Sequence, residues 1–233
     1  HPAEDAGERL AGIIGRTIGR GGKLLLPSFA VGRAQMLLLL LQRLKRRGAI
    51  PTELPIFVDS PMALEATALY QRHAALMRVP AREMKALTDG VTMVATVQQS
   101  MRLMRSRGPS VIISASGMAT GGRVLHHLKA MAPDARHHVC FPGFQVGGSR
   151  GARLVAGATD VKIHGEYVPV RAEVSHLASL SGHADSDGLM NWMRALRNVP
   201  RQTFVVHGDP DAADALRVRI HDELQWPVRV PEL

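Results

Sequence analysis

Residues 23–33 read KLLLPSFAVGR, and this stretch decides the kind of fold that the chain adopts. Leucines fill positions 24–26, so residues 23–26 predict a buried strand, residues 27–32 predict a turn, and a helical pattern begins at Arg33. The same order recurs along the chain, with further strands predicted at 56–58, 91–94, 111–114 and 138–141. Strands that alternate with helices are typical of a parallel sheet with both faces covered. The sequence therefore predicts an α/β fold built on a parallel sheet.

The pattern changes beyond about residue 161. Predicted strands at 161–163 and 168–174 follow each other closely, as in a β-meander. A loop at 181–185 and an alternation of helices and short strands complete the chain. We place a domain boundary in this region, which gives a first domain at 1–168 and a second at 169–233.

The charge of the chain indicates a polyanionic partner. Among 233 residues, 29 Lys and Arg stand against 20 Asp and Glu, for a net charge of +9. Such a balance favours nucleic acid, although a basic protein from an Arg-rich proteome has the same charge without binding a polyanion. Aromatic residues make up only 4% of the chain, so we expect a nucleic acid to be held by its backbone.

The single cysteine, Cys140, excludes an intrachain disulfide and a cysteine-based zinc cluster. A reducing, cytoplasmic setting is the corresponding expectation. The longest apolar run has six residues, at 36–41, whereas a membrane-spanning helix needs about 20. We therefore expect no membrane partner.

Three glycine-rich turns follow predicted strands, at 27–33, 114–123 and 143–151. Helix N-termini, hydroxyl groups and closely approaching glycine backbones favour bound phosphate. Neither a Walker loop nor a dinucleotide fingerprint is present, and for 114–123 taken by itself a tight turn for close helix–sheet packing is the favoured interpretation. The phosphate-binding candidates are Ser28, Arg33, Ser114, Ser116, Gly117, Gly121, Gly122 and Arg123.

Two of the eleven histidines stand out from the rest. His183 lies in SGHAD, a loop that opens a predicted helix, and His207 ends an apolar strand in VVHGD. Neighbouring histidines, as at 126–127 and 137–138, point in different directions and chelate poorly. No complete zinc motif is present. Locally, functional and structural interpretations of His183 and His207 are balanced, and Asp59, Asp185 and Asp209 are read as helix N-caps.

Taken together, several segments resemble the β-CASP group of the metallo-β-lactamase superfamily, in particular its prokaryotic RNA-processing zinc nucleases. The segments run in family order: 26–35 (LPSFAVGRAQ), 58–63 (VDSPMA), 113–118 (ISASGM), 121–123 (GGR), 181–185 (SGHAD) and 206–208 (VHG). The resemblance implies a parallel-sheet β-CASP domain followed by the C-terminal β/α segment of a metallo-β-lactamase fold. It also implies that the candidate turns face single-stranded RNA.

The same resemblance gives the two histidines separate roles. His183 matches the motif B histidine, which implies a general acid or a hydrogen-bond donor to the scissile phosphate. His207 matches motif C, where a histidine is a zinc ligand in RNA-acting members. The implied centre holds two zinc ions and hydrolyses phosphodiester bonds.

The remaining zinc ligands of the family precede the first residue of this sequence, because residues 1–5 (HPAED) look like the stretch after motif A. We therefore expect a fragment that lacks the N-terminal half, is inactive alone and exposes apolar surface in residues 175–233, with a homodimer as one outcome. The alternatives are a non-catalytic RNA-binding module and a domain that binds a small phosphoester.

Overall fold

The structure is a computed structural model that describes residues 6–177, 180 and 182–231. Two compact units divide after residue 180, and the domain boundary drawn from the sequence at 168/169 stays a prediction. Residues 1–5 and Ser181, which belong to two of the motifs above, lie outside the described residues. None of the described helices is both long enough and apolar enough to cross a membrane.

Helices and strands alternate through most of the described chain. The strands are β1 (Lys23–Pro27), β2 (Ile56–Asp59), β3 (Val91–Val94), β4 (Ser110–Ser114), β5 (His138–Phe141), β6 (Asp160–Ile163), β7 (Glu166–Pro169), β8 (Glu173–His176), β9 (Thr203–Phe204) and β10 (Val228–Arg229). The helices are α1 (Ala6–Gly19), α2 (Arg33–Arg46), α3 (Pro61–Arg72), α4 (Ala81–Lys85), α5 (Val97–Arg105), α6 (Arg123–Met131), α7 (Arg150–Val155), α8 (Ser186–Arg194) and α9 (Pro210–Leu224), with 3₁₀ turns at Ala74–Leu76 and Ala86–Thr88.

The first unit is organised around a sheet in which six described strands lie in the order β3-β2-β4-β1-β5-β8. All of its pairings are parallel. The central strands β1 and β4 are buried at every residue, as expected where both faces of a sheet are covered. The predicted α/β fold with a parallel sheet is confirmed.

The two faces of this sheet carry separate cores, because successive side chains of a strand point to opposite sides. On β1, Leu24 and Leu26 pack against α1 to α4, whereas Leu25 packs against α5, α6 and α7. Each face is therefore sealed by helices, and the ends of the strands are the places where loops and polar groups gather.

The predicted meander is wrong in its pairing. β6 and β7 form an antiparallel hairpin, but β8 leaves the hairpin and pairs in parallel with β5. Val161, Ile163 and Val168 of the hairpin join the α6 and α7 side of the core. Burial of these three side chains holds the hairpin against the helices. The segment after the hairpin then joins the main sheet as β8.

The second unit has a much smaller core. Its helices α8 and α9 pack with a parallel pair of two-residue strands, β9 and β10, around Met190, Ile220 and Trp226. Trp192 is 65% exposed and Val206 is 69% exposed. The described part of this unit therefore presents apolar side chains to solvent.

A buried imidazole joins β5 to β8 in the first unit. His138 is fully buried, and its Nε2 lies 2.7 Å from the Ser175 hydroxyl. Burial lowers the pKa of His138 to about 4, although Glu173, whose carboxylate lies 3.5 Å from Nδ1, acts in the opposite direction. His138 is therefore neutral in the folded protein at neutral pH.

We expect stability to fall as the pH drops from about 6.5 to about 4. The unfolded chain binds a proton at His138 near pH 6.5, whereas the folded chain binds it only near pH 4. The variant His138→Gln lacks this titration, so it should lose less unfolding free energy between pH 7 and pH 5 in urea denaturation. The control His73→Gln, at an exposed position, should keep the wild-type pH dependence. Equal losses in His138→Gln and wild type would contradict the prediction.

Candidate functional site

Three loops meet at the carboxyl edge of the parallel sheet, where β1, β4 and β5 end side by side. The amide of Ser28 donates to the carbonyl of Ser114 at 3.0 Å. From the loop after β5, Gln145 Nε2 donates to the carbonyl of Gly117 at 3.1 Å. The glycine-rich turns singled out in the sequence are therefore neighbours in space.

Glycine is required in the turn after β4 for packing. A Cβ atom on Gly117 would lie 3.0 Å from the ring of Phe29, and one on Gly122 would lie 3.2 Å from the carbonyl oxygen of Ala115. Gly122 also has a φ of +76°, which side chains rarely adopt. Gly121 has open space around it. Close packing accounts for Gly117 and Gly122, and their contact with phosphate stays a prediction.

A buried carboxylate organises the face of the sheet behind these loops. Asp59, the last residue of β2, is fully buried and accepts from the Ser100 hydroxyl at 2.5 Å and from Arg123 Nη1 at 2.8 Å. Its second oxygen also lies 2.7 Å from His127 Nε2. Burial acts to raise the pKa of Asp59, but the hydrogen bonds from His127, Ser100 and Arg123 outweigh burial and hold it below its ordinary value.

Asp59 is not the N-cap that its sequence context predicts. The residue after it, Ser60, caps α3 by accepting from the amide of Ala63 at 3.3 Å. The sequence did not predict that Asp59 is the centre of a buried hydrogen-bond network, and it gave no role to His127. The reason is that Asp59 contacts Ser100 of α5 and His127 of α6, which are far from it in the sequence. The adjacency of Asp59 to a capping serine was the only local signal.

The predicted phosphate ligand Arg123 is already engaged. Besides Asp59, its guanidinium donates to the carbonyls of Val94 at 3.2 Å and Ala95 at 2.9 Å. Arg123 therefore links the start of α6 to the ends of β2 and β3. Its predicted contact with a phosphate group stays a prediction. Ser114 is similarly engaged, since its hydroxyl donates to the Asp59 carbonyl at 3.1 Å.

Arg33 and Ser28 retain free hydrogen-bonding capacity at the same edge. The Arg33 guanidinium lies against Gly143, where a Cβ atom would be 3.6 Å from Nη2. Burial lowers the pKa of Arg33, and no carboxylate in the described chain pairs with it; its Nη1 donates weakly to Met36 Sδ at 4.0 Å. Ser28 is 2% exposed, and its hydroxyl has no hydrogen-bond partner among the described residues. The hydroxyl groups of Ser116 and Thr120 lie 3.0 Å apart and form a hydrogen bond with each other.

In the second unit, the two singled-out histidines lie together. The rings of His183 and His207 have centroids 5.7 Å apart and meet edge to face at 88°. His207 follows β9, His183 precedes α8, and both are exposed. Two neighbouring imidazoles can share the tasks of binding and donating to one anionic group.

The loop that carries His183 is fixed at the start of α8. Asp185 caps this helix by accepting from the amide of Gly188 at 2.8 Å. Arg219 of α9 holds the same helix end, with Nη1 2.8 Å from the Ser186 hydroxyl and 2.7 Å from Asp187. These contacts restrict the positions that His183 can take.

The change Asp185→Ala is expected to lower the free energy of unfolding of the second unit by about 1 kcal/mol, because the α8 cap is lost. Asp209 is a matched control, since it occupies the N-cap position of α9 without a side-chain hydrogen bond to the helix. Asp209→Ala should therefore cost only a few tenths of 1 kcal/mol. Urea denaturation followed by circular dichroism measures both, and equal losses would contradict the capping argument.

A zinc centre needs more donors than the described residues bring together. Zinc commonly takes four ligands, with three from the protein in catalytic sites. In residues 6–177, 180 and 182–231, no group of three or more His, Cys, Asp and Glu side chains could hold a metal ion. The imidazoles of His183 and His207 are suitable donors, but alone they do not complete a site.

Two family models and several curated relatives match this chain. A family model described as the Beta-Casp domain matches residues 34–154, and one described as the Zn-dependent metallo-hydrolase RNA specificity domain matches residues 167–231. Ribonuclease TTHA0252 of Thermus thermophilus is 39% identical over an alignment of 213 positions that covers 88% of this chain and 47% of the relative. Transcription termination factor FttA of Pyrococcus abyssi is 33% identical over an alignment of 242 positions that covers 99% of this chain and 37% of the relative. The chain thus spans less than half the length of these relatives.

Proposed function

Because this chain belongs to the β-CASP group of the metallo-β-lactamase superfamily, we propose that it contributes to a zinc-dependent ribonuclease that hydrolyses phosphodiester bonds of single-stranded RNA. The observation that carries the proposal is the edge-to-face pair of His183 and His207 at 5.7 Å. The pair lies within the segment that matches the RNA specificity domain.

The two imidazoles have different tasks in this proposal. His207 would bind zinc through a ring nitrogen, together with ligands from outside the described residues. When bound, two zinc ions supply an activated water and neutralise charge on the phosphate. His183 donates a hydrogen bond or a proton to a phosphate oxygen, which favours the charge distribution of the transition state.

RNA is held in this proposal at the carboxyl edge of the parallel sheet. The half-buried Arg33 guanidinium, which pairs with no carboxylate in the described chain, is suited to a phosphate oxygen, and a phosphate contact of the buried Ser28 hydroxyl stays a prediction. The net charge of +9 supports attraction of the RNA backbone. The single cysteine fits a reducing compartment, so we place this activity in the cytoplasm.

A non-catalytic RNA-binding module is the second candidate. It is favoured by the net charge of +9 and by the turns after β1 and β4, whose helix N-termini favour anions. Under this alternative, RNA binds to the chain, but no protein that contains the chain cleaves RNA in a manner that depends on His183.

The test is RNA cleavage by zinc-loaded protein that joins this chain to the preceding metal-binding half. His183→Ala should lower the cleavage rate by about 100- to 10,000-fold, the range for loss of a general acid. His221→Ala is the matched control, because His221 is an exposed histidine of α9 in the same unit, and should leave the rate unchanged. Equal rates for His183→Ala and the control would overturn the catalytic proposal. Absence of cleavage in the unmutated protein would favour the binding module.

A further inference from the structure

A pocket lies between α5 and the outer strands β2 and β3 of the sheet, outside the loops discussed so far. Its volume is about 270 Å³. We call it the α5 pocket, and it is lined by Phe57, Thr92, Val94, Gln99, Arg102, Leu103 and Ser106. The pocket forms because α5 leaves part of this sheet face uncovered, and β3 is the last described strand on this side.

The walls of the α5 pocket differ from its rim. Val94 and Leu103 are buried and form apolar walls with the half-buried ring of Phe57. Exposed Thr92 and Arg102 bring polar groups to the rim. An apolar slot with a polar rim suits a flat ring that has hydrogen-bonding edges, such as a nucleobase.

Both ends of α5 are fixed, so the pocket is formed before a ligand binds. At the start of the helix, Thr96 and Gln99 make a reciprocal capping box, with hydrogen bonds of 3.1 Å and 3.0 Å. At its end, the buried ammonium of Lys23 donates to the carbonyls of Leu103 at 3.1 Å and Ser106 at 2.7 Å. A preformed pocket costs little ordering when a ligand enters.

Three arginines without a carboxylate partner lie along and just after α5. Arg102, which lines the α5 pocket, and Arg105 and Arg107 are exposed and make no ion pair with any described residue. Residues 90–133 contain no Asp or Glu, and this stretch is bounded by Asp89 and Asp134. Elsewhere on this unit, surface arginines such as Arg43 pair with a carboxylate, here Glu83 at 2.7 Å. Three such arginines within six residues of the chain, one of which lines the pocket, favour a ligand that carries several negative charges.

We propose that the α5 pocket binds one nucleotide of a single-stranded RNA, with its base in the pocket and the neighbouring phosphates on Arg102, Arg105 and Arg107. The choice of RNA over other polyanions rests on the proposed function. The pocket uses none of the residues assigned to cleavage, so it is a second contact for the RNA chain. It lengthens the RNA segment that the protein holds.

The first test is the affinity of this chain for a fluorescent single-stranded RNA, measured by anisotropy at several salt concentrations. The double variant Arg102→Gln/Arg105→Gln should bind at least about 10-fold more weakly. The slope of log affinity against log salt should fall by about 1.4, or about 0.7 for each of two lost phosphate contacts. The control Arg72→Gln/Arg78→Gln removes the same charge from exposed positions in and after α3 and should change neither quantity.

The second test separates base insertion from phosphate attraction. An RNA of equal length that lacks its bases should bind the unmutated chain several-fold more weakly than the complete RNA. The variant Thr92→Phe fills the pocket from an exposed position on β3 and should bind both RNAs with equal affinity. These comparisons need only binding, so they hold even if the protein does not cleave RNA.

Two outcomes would overturn the inference. One is equal affinity of the Arg102/Arg105 and Arg72/Arg78 double variants for RNA, which would show that the patch makes no phosphate contact. The other is equal affinity of the unmutated chain for complete RNA and for RNA without bases. Either result leaves the cleavage test of His183 unaffected, so failure of the α5 pocket is distinguishable from failure of the proposed function.

Discussion

Replacing Asp59 by alanine is expected to lower the free energy of unfolding by about 3–5 kcal/mol, the range for breaking a buried ion pair from one side. The change leaves the Arg123 guanidinium without its carboxylate and removes the acceptor of the Ser100 hydroxyl and the partner of His127. Because these groups are held between α5, α6 and the sheet, water cannot replace the carboxylate at every donor. Urea denaturation at pH 7 measures the loss.

Asp134→Ala is the control for this change. Arg136 holds the pKa of Asp134 well below its ordinary range, but the Asp134 side chain is 33% exposed and its partner lies two residues away. Solvent screens this pair, so we expect a loss of about 1 kcal/mol or less. A loss below about 1 kcal/mol for Asp59→Ala would show that the buried network does not hold the layers together.

The Asp59 contribution also has a predicted pH dependence. The pKa of this carboxyl group is lower in the folded protein than its ordinary value of about 4. The stabilisation that the ionised Asp59 carboxylate contributes is therefore complete above pH 4. It is lost as the pH falls through the pKa of Asp59 in the folded protein. The difference in unfolding free energy between wild type and Asp59→Ala should shrink below pH 4.

Local sequence was sufficient for the central strands. The run at 23–26 predicts β1, and 111–114 predicts nearly all of β4, because strands buried on both faces are continuously apolar. The turns after β1 and β4 lie at the same edge, since carboxyl ends of neighbouring parallel strands coincide. The Ser28 amide donates to the Ser114 carbonyl there at 3.0 Å.

Contacts between residues that are far apart in the sequence could not be predicted from local sequence patterns. β8 pairs with β5 across a separation that includes α7 and the β6–β7 hairpin, so no local pattern distinguishes it from a third meander strand. Asp59 shows the same limit, because its partners Ser100 and His127 are 41 and 68 residues away. A buried aspartate and an N-capping aspartate look alike in sequence, and only the packing of α5 and α6 separates them.

The two histidines of the second unit show what a motif can and cannot supply. SGHAD and VHG predict that His183 and His207 are special, but the distance between the rings comes only from the packing of α8 and α9 beside β9. Sequence also placed Asp185 and Asp209 alike as caps. The structure separates them, because Asp185 accepts from the amide of Gly188, whereas Asp209 has no such bond.

His207→Ala is expected to lower RNA cleavage by more than about 100-fold in the zinc-loaded protein that joins this chain to its metal-binding half. Loss of a residue that only orients a zinc ligand already costs about 10- to 100-fold, so loss of a ligand should cost more. The amount of zinc bound per protein, measured by elemental analysis, should fall in parallel. His207 is exposed, so the fold should survive the change, and circular dichroism checks this.

Comparison with His183→Ala turns this expectation into a test of separate roles. If His207 binds zinc and His183 donates to phosphate, His207→Ala loses both metal and rate, whereas His183→Ala loses rate but keeps its metal. Retained cleavage with full zinc in His207→Ala would contradict the assignment of His207. Because the rings are only 5.7 Å apart, a general disturbance of this loop pair would affect both variants alike. Loss of zinc in His207→Ala together with full zinc in His183→Ala would therefore support separate roles for the two imidazoles.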